Sequence, residues 1–285
     1  MRNRNILFCI FLFAACTKEL PKQLDKTPIE TIGKCMLKSI KEGSVTICTA
    51  GYNVDNELEV LRIYNRDGSI EDERTNLYQN KKLISSNETL KGSGTFSTFE
   101  YNADGMLSKV KLARHQGGEN YKYIKVEYNS LKKITNTQSY ENSYGLFFPK
   151  EYATYVYNNY GNIANITVHS SNISLGEKVN SCFYDNNRNL LKVMDRSDKI
   201  IYQIEYDLTR PNFFNESIVN FYDYPNNILP KNAPVKFTSY GSSGVIDKEY
   251  SIEYNNFNSN NYPTRIQVII NEVVFVYSLD YTCHN

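Results

Sequence analysis

Little in this sequence points to catalysis. Histidine is scarce, and His115, His169 and His284 are scattered without the partner pattern of a nucleophile–base triad. No glycine-rich phosphate loop and no dinucleotide fingerprint is present, so no cofactor is expected. None of the cysteines shows the paired short spacings of a metal site. Charge of one sign is missing too: 32 basic residues face 31 acidic ones, which offers no electrostatic footprint for nucleic acid. No stretch after the N-terminal segment combines a 3.6-residue apolar stripe with capping residues, except one short turn within Thr27 to Leu37. The chain is therefore not expected to be an enzyme. Carboxylates that meet only after folding, as glycoside hydrolysis requires, are the exception a sequence leaves open.

What the chain has in quantity is tyrosine, 24 residues against no tryptophan. The clearest pattern runs Phe99-Glu-Tyr101-Asn-Ala-Asp104-Gly105-Met-Leu107-Ser-Lys-Val110. An aromatic strand end leads into a polar turn and then a new strand. The same plan returns from Tyr64 to Ile70 and from Tyr157 to Ile163, with weaker copies starting at Tyr78, Tyr128, Tyr184, Tyr206, Tyr222 and Tyr254. Glycine supplies the positive φ that tight hairpins need, and Asn or Asp can hydrogen-bond the turn backbone. Tyrosine favours strands, and its hydroxyl is expected to stay wet while the ring packs.

Between these corners the residues alternate with period two, as in strands with one packed face. Ile200, Tyr202, Ile204 and Tyr206 share a face, as do Ile124, Val126 and Tyr128, and Tyr250, Ile252 and Tyr254. Ile266, Val268 and Ile270 continue the pattern, and Val273 to Tyr281 supplies the last strand. The fold predicted is all-β: an antiparallel meander of hairpins forming one large curled or barrel-like sheet, since long open edges invite pairing with other chains.

Residues 1–15 read as a signal peptide, with Arg2 and Arg4 before the short apolar run Ile6 to Phe13. That run falls short of the about 20 residues that span a bilayer. Phe13-Ala14-Ala15 before Cys16 resembles the bacterial lipobox, in which the cysteine is acylated and becomes the first mature residue. Two or more acyl chains, palmitate among them, hold a protein stably to a membrane. Residues 16–31 are then a polar tether, and 32–285 a single β-domain. The membrane expected is the outer one, either face. Insertion as a pore is not expected, because an integral barrel needs no lipid anchor and the chain ends without an aromatic residue.

Export permits disulfides. Cys35 and Cys48 lie nearly symmetrically about a turn near Lys41 to Ser44, which would bring them within bridging distance. By elimination Cys182 is left with Cys283. Two apolar insertions stand out, Asn142 to Lys150 and Pro211 to Pro234. They either plug one end of the sheet or offer an aromatic contact surface, with Tyr144, Phe147 and Phe148 as candidate ligand contacts.

The Tyr-Asn-Ala-Asp-Gly-Met-Leu-Ser-Lys-Val unit resembles the YD repeat of Rhs and teneurin-type proteins. With the lipobox, the length and the ending Tyr277-Ser-Leu279-Asp-Tyr281-Thr-Cys283, the chain is similar to YD-repeat lipoproteins of Gram-negative bacteria, some with a porin-like β-fold. Arg188 replaces the turn glycine in the Tyr184 copy. The resemblance implies no activity. It suggests carbohydrate binding without supplying a sugar-contacting residue. The expected role is binding or structural, with an envelope protein as partner or, alternatively, a glycan stacked on exposed aromatics.

Overall fold

The computed structural model describes residues 34–90, 93–170, 177–213 and 230–284. Among these, every regular element is a strand and none is a helix. In chain order the first six are β1 (Lys34–Glu42), β2 (Val45–Tyr52), β3 (Leu58–Tyr64), β4 (Ile70–Gln79), β5 (Lys82–Leu90) and β6 (Ser93–Tyr101). Then come β7 (Leu107–Ala113), β8 (Asn120–Tyr128), β9 (Ile134–Ser143), β10 (Leu146–Tyr157), β11 (Ile163–Ser170) and β12 (Glu177–Tyr184). The last are β13 (Leu190–Met194), β14 (Ile200–Pro211), β15 (Asn232–Tyr240), β16 (Ile246–Phe257), β17 (Pro263–Ile270) and β18 (Val273–His284). All belong to one antiparallel sheet, and β1 pairs with β18 from Lys34 opposite His284 to Glu42 opposite Tyr277. The all-β, barrel-like expectation holds.

One hydrogen-bond pattern explains the recurring sequence unit. At corners starting at Asn53, Asn65, Asn102, Asn129, Asn158, Asp185, Asp195, Gly241 and Asn258, the first residue donates its N–H to the carbonyl four residues on. Its own carbonyl accepts the N–H three residues on. That fourth residue is left-handed each time: Asn56, Gly68, Gly105, Lys132, Gly161, Arg188, Asp198, Gly244 and Asn261. This is a type I turn with a bulge after it. The register shift falls at the preceding aromatic, as between Glu100 and Tyr101 or Glu127 and Tyr128. The Asn or Asp side chain completes the corner: Asn129 Oδ1 accepts from the Leu131 and Lys133 amides at 3.0 Å each.

The tyrosine hydroxyls correct an expectation. Four do not stay wet but donate to backbone carbonyls of an earlier strand: Tyr101 to Leu83 at 2.8 Å, Tyr128 to Leu107 at 2.8 Å, Tyr206 to Leu190 at 2.9 Å and Tyr254 to Pro234 at 2.8 Å. Burial pushes the Tyr206 and Tyr254 phenols well above the ordinary value. Tyr206 and Tyr254 sit inside β14 and β16 and do not open corners. Tyr78 precedes a different turn, Asn80–Lys81, in which both φ angles are positive. Tyr222 lies outside the described residues.

The chain divides into two compact units. Unit 2 spans Val45–Tyr155 and Thr167–Lys178; unit 1 takes the chain up to Ser44, Val156–Ile166 and Val179–Asn285. In unit 1 the packed face follows the predicted alternation: Tyr250 lies opposite Ile270, Ile252 opposite Val268, and Ile266 opposite Tyr277. Ile266 and Val268 are almost fully buried. Each such aliphatic side chain contributes about 1.5–3 kcal/mol on burial. Phe213, at the start of the second apolar insertion, packs into this unit against Tyr254, Phe257 and Tyr262.

The cysteines depart from the prediction. Cys35 is bonded to Cys283, its register partner on β18, with a Cα–Cα separation of 4.0 Å. Cys48 is a free, buried thiol that desolvation pushes up to about 12. The turn falls at Gly43–Ser44, which sets Cys35 and Cys48 four residues out of step, roughly 13 Å along a strand. Cys182 is fully buried and disulfide-bonded, so Cys283 is not its partner.

Candidate functional site

The first predicted insertion forms the hairpin between β9 and β10 in unit 2. Leu146 lies opposite Ser143, so Tyr144 and Gly145 alone make the turn, both at positive φ (53° and 81°). Asn142 secures it by accepting the Gly145 amide at 2.9 Å. Asn-Gly is the usual chemistry for such a turn, and a bulky residue held left-handed is costly. Tyr144 is nonetheless there and fully exposed, with Leu146 and Phe148 exposed beside it. The tip of the segment is exposed and not packed as a plug.

Behind the tip lies an aromatic stack. Tyr123 on β8 pairs with Tyr140 on β9, their ring centroids 4.5 Å apart, and half-buried Phe147 packs on Tyr123 at 4.8 Å. Lys109 caps Tyr123 at 4.7 Å and Lys125 caps Tyr140 at 5.3 Å. Cations over aromatic faces contribute about 0.5–1 kcal/mol at exposed sites, and they hold the stack together behind the tip. Next to it opens a cavity of about 630 Å³ lined by Gly94, Arg114, Tyr121, Glu141 and Asn142. Tyr144, Phe147 and Phe148 are therefore gathered at one end of unit 2 together with a cavity that the sequence did not reveal.

A second cluster was not legible either. On β4 the packed face carries Asp72, Arg74 and Asn76, all nearly fully buried. Arg74 pairs with Glu88 of β5 at 2.9 Å, and the Asn76 amide donates to the Leu58 carbonyl at 2.9 Å. Asp72 Oδ1, Arg74 Nε and Asn76 Oδ1 have no hydrogen-bond partner among the described residues. Desolvation, with the Glu88 charge nearby, pushes the Asp72 carboxyl up to about 6 despite Arg74. The sequence carries no signal for it, because Glu71 to Asn76 is polar on both faces of the strand.

The histidines do not converge. His115 Nδ1 lies 3.1 Å from the Gln116 carbonyl in the loop after β7, and His169 pairs with Glu177 at 3.1 Å beside the Tyr152 ring. His284 lies in β18 opposite Lys34. Among the described residues no three metal-ligating side chains cluster. Cys16 and the tether lie outside the described residues.

No protein-family model matches the chain, and no curated protein matches it. Among solved structures, a porin-like protein from Bacteroides vulgatus ATCC 8482 is similar over 86% of this chain and 98% of its own, at 14% identity and a TM-score of 0.40. A porin-like protein from Bacteroides uniformis ATCC 8492 is similar over 87% and 98%, at 11% identity and a TM-score of 0.35. The Photorhabdus luminescens Tc holotoxin pore is similar over 78% of this chain but 14% of its own, at 11% identity and a TM-score of 0.29. Likenesses this loose carry no functional conclusion.

Proposed function

We propose that the protein is a lipid-anchored YD-repeat β-protein of the bacterial outer membrane that acts by binding, not by catalysis, and presents the β9–β10 end of unit 2 to an envelope partner. The observation that carries this is the tip itself. Tyr144, Leu146 and Phe148 are exposed on a turn whose backbone would be better served by Asn-Gly. Contiguous exposed apolar groups mark contact sites.

Anchoring rather than insertion is supported by unit 2. Opposite its packed face it carries the cross-strand ion pairs Arg62–Glu73 and Lys111–Glu100, and Lys125. A basic side chain facing lipid at midplane costs about 2–4 kcal/mol. The anchor is tested by labelled palmitate: incorporation should stop in Cys16→Ala, and labelling that persists would refute it. The binding surface is tested by capture from solubilised envelopes with the wild type and a Tyr144→Ser/Leu146→Ser/Phe148→Ser variant. A partner held by the first and lost by the second is expected; equal capture would sink the proposal. A glycan is the second reading, favoured by the exposed Tyr121 ring in the wall of the adjoining cavity.

A further inference from the structure

We propose that the edge of β18 from Val273 to Val276 is a strand-addition site, which takes an extended, uncharged segment of a second protein as its neighbour. The site lies in unit 1 and does not depend on the β9–β10 tip. β17 pairs with β18 from Arg265 opposite Ser278 to Ile270 opposite Val273. On the other side β1 reaches only to Glu42, opposite Tyr277. Val273 to Val276 therefore run on past the end of β1 with no registered partner on that side among the described residues.

The hairpin decides which backbone groups face that side. Asn271 and Glu272 make a two-residue turn, both at positive φ (47° and 68°), so Ile270 and Val273 are the pair that exchange N–H···O bonds. Phe275 then bonds Val268, its register partner. Val274 and Val276 point their N–H and C=O the other way, about 7 Å apart along the strand. Donors and acceptors repeating at that interval are matched by the backbone of another strand.

The side chains favour pairing too. Val273-Val274-Phe275-Val276 carries no charge and no proline, and Val273 and Val274 are 54% and 51% exposed. β16 offers the contrast within the same unit. It also overruns its neighbour, since its ladder with β17 starts only at Tyr250 opposite Ile270 and leaves Ile246 to Glu249 beyond it. That overrun carries Asp247, Lys248 and Glu249, the kind of charges that keep an edge from pairing. One edge is guarded and the other is not. A second copy of this chain fits the unguarded edge poorly. Two-fold pairing of β18 with its counterpart, centred on Phe275, would set the second copy's Val273 opposite Tyr277, where Glu42 already lies. Centred on Val274, it would join only that residue's own pair of bonds.

The test is fluorescence anisotropy of the full-length protein with a labelled peptide of alternating valine and threonine, N-methylated on every second residue so that only one of its edges can pair. The control is the same peptide N-methylated throughout. Saturable binding of the first and none of the second is expected. Val274→Pro removes an N–H that β17 does not use, and should weaken binding about 10-fold or more. Val274→Lys, which leaves the backbone intact and adds a guarding charge, should weaken it as well, and urea midpoints check that each variant is folded. No binding, equal binding of both peptides, or binding that survives Val274→Lys overturns the proposal. A wild-type dimer in sedimentation that Val274→Lys dissolves would give the edge to a second copy and overturn it too.

Discussion

Asp72 occupies a position where a strand facing a packed layer usually carries Val or Leu, and its carboxyl is pushed up to about 6. An unfolded aspartate titrates near about 3.9, so the folded chain holds this proton more tightly. The associated stability is fully present below about pH 4 and is lost as pH rises through about 6, a difference of about 3 kcal/mol. Asp72→Asn should therefore gain on the wild type by about that amount between pH 4 and 7 in urea melts. A difference that does not move with pH would show that Asp72 is not the group responsible. Arg74 is the opposite case: Arg74→Met strands Glu88 without its cation, and breaking a buried pair costs about 3–5 kcal/mol. Neither residue could be picked out beforehand, because a run such as Glu71-Asp72-Glu73-Arg74 reads as a wet strand until one face is seen to be covered. Cys48 belongs at the same scale. Its thiol, buried and pushed up to about 12, should resist alkylation at pH 8 in the native chain and react on unfolding; labelling at equal rates in both states would contradict its burial.

At the scale of the element, the corner was readable where glycine marks it, at Gly68, Gly105 and Gly161. It was hidden where Asn56, Asp198 or Asn261 takes the left-handed place, or where Met194 or Phe257 stands in for the tyrosine. The misplaced copies at Tyr206 and Tyr254 have a physical cause: a tyrosine before a corner and one in mid-strand look alike in sequence. The hydroxyl does not tell them apart either, since Tyr101 and Tyr128 before corners and Tyr206 and Tyr254 in mid-strand all bond the carbonyl of an earlier strand. Tyr128→Phe leaves the Leu107 carbonyl without that donor and should cost about 0.5–1.5 kcal/mol in urea melts. Gly105→Ala, at φ +78 with Lys82 Nζ only 2.8 Å from the new Cβ, should cost about 1 kcal/mol or more. The aromatic tip was legible as an apolar interruption of the alternation. Its neighbouring cavity was not, because Gly94, Arg114, Tyr121 and Glu141 come from four separate stretches of chain.

For the whole molecule, the Cys35–Cys283 bond spans 248 residues. Closing so long a loop removes about 5 kcal/mol of unfolded-chain entropy in the simplest account. Cys35→Ala/Cys283→Ala should lower stability towards that limit, measured in urea with the oxidised wild type as reference. A loss under about 1 kcal/mol would mean that the β1–β18 ladder holds without it. The pairing escaped the sequence because it depends on which strand β1 lies against, a fact settled only once the chain has gone round.

That ladder also bears on how the protein is made. The strand that β1 must lie against is translated long after it, 248 residues on as counted from Cys35 to Cys283. β2 follows at once and pairs with β1 along one edge, but the other edge of β1 waits for β18. The β1–β18 edge of the sheet can therefore close only after all the intervening strands have been made, a long-range pairing of the kind that slows folding.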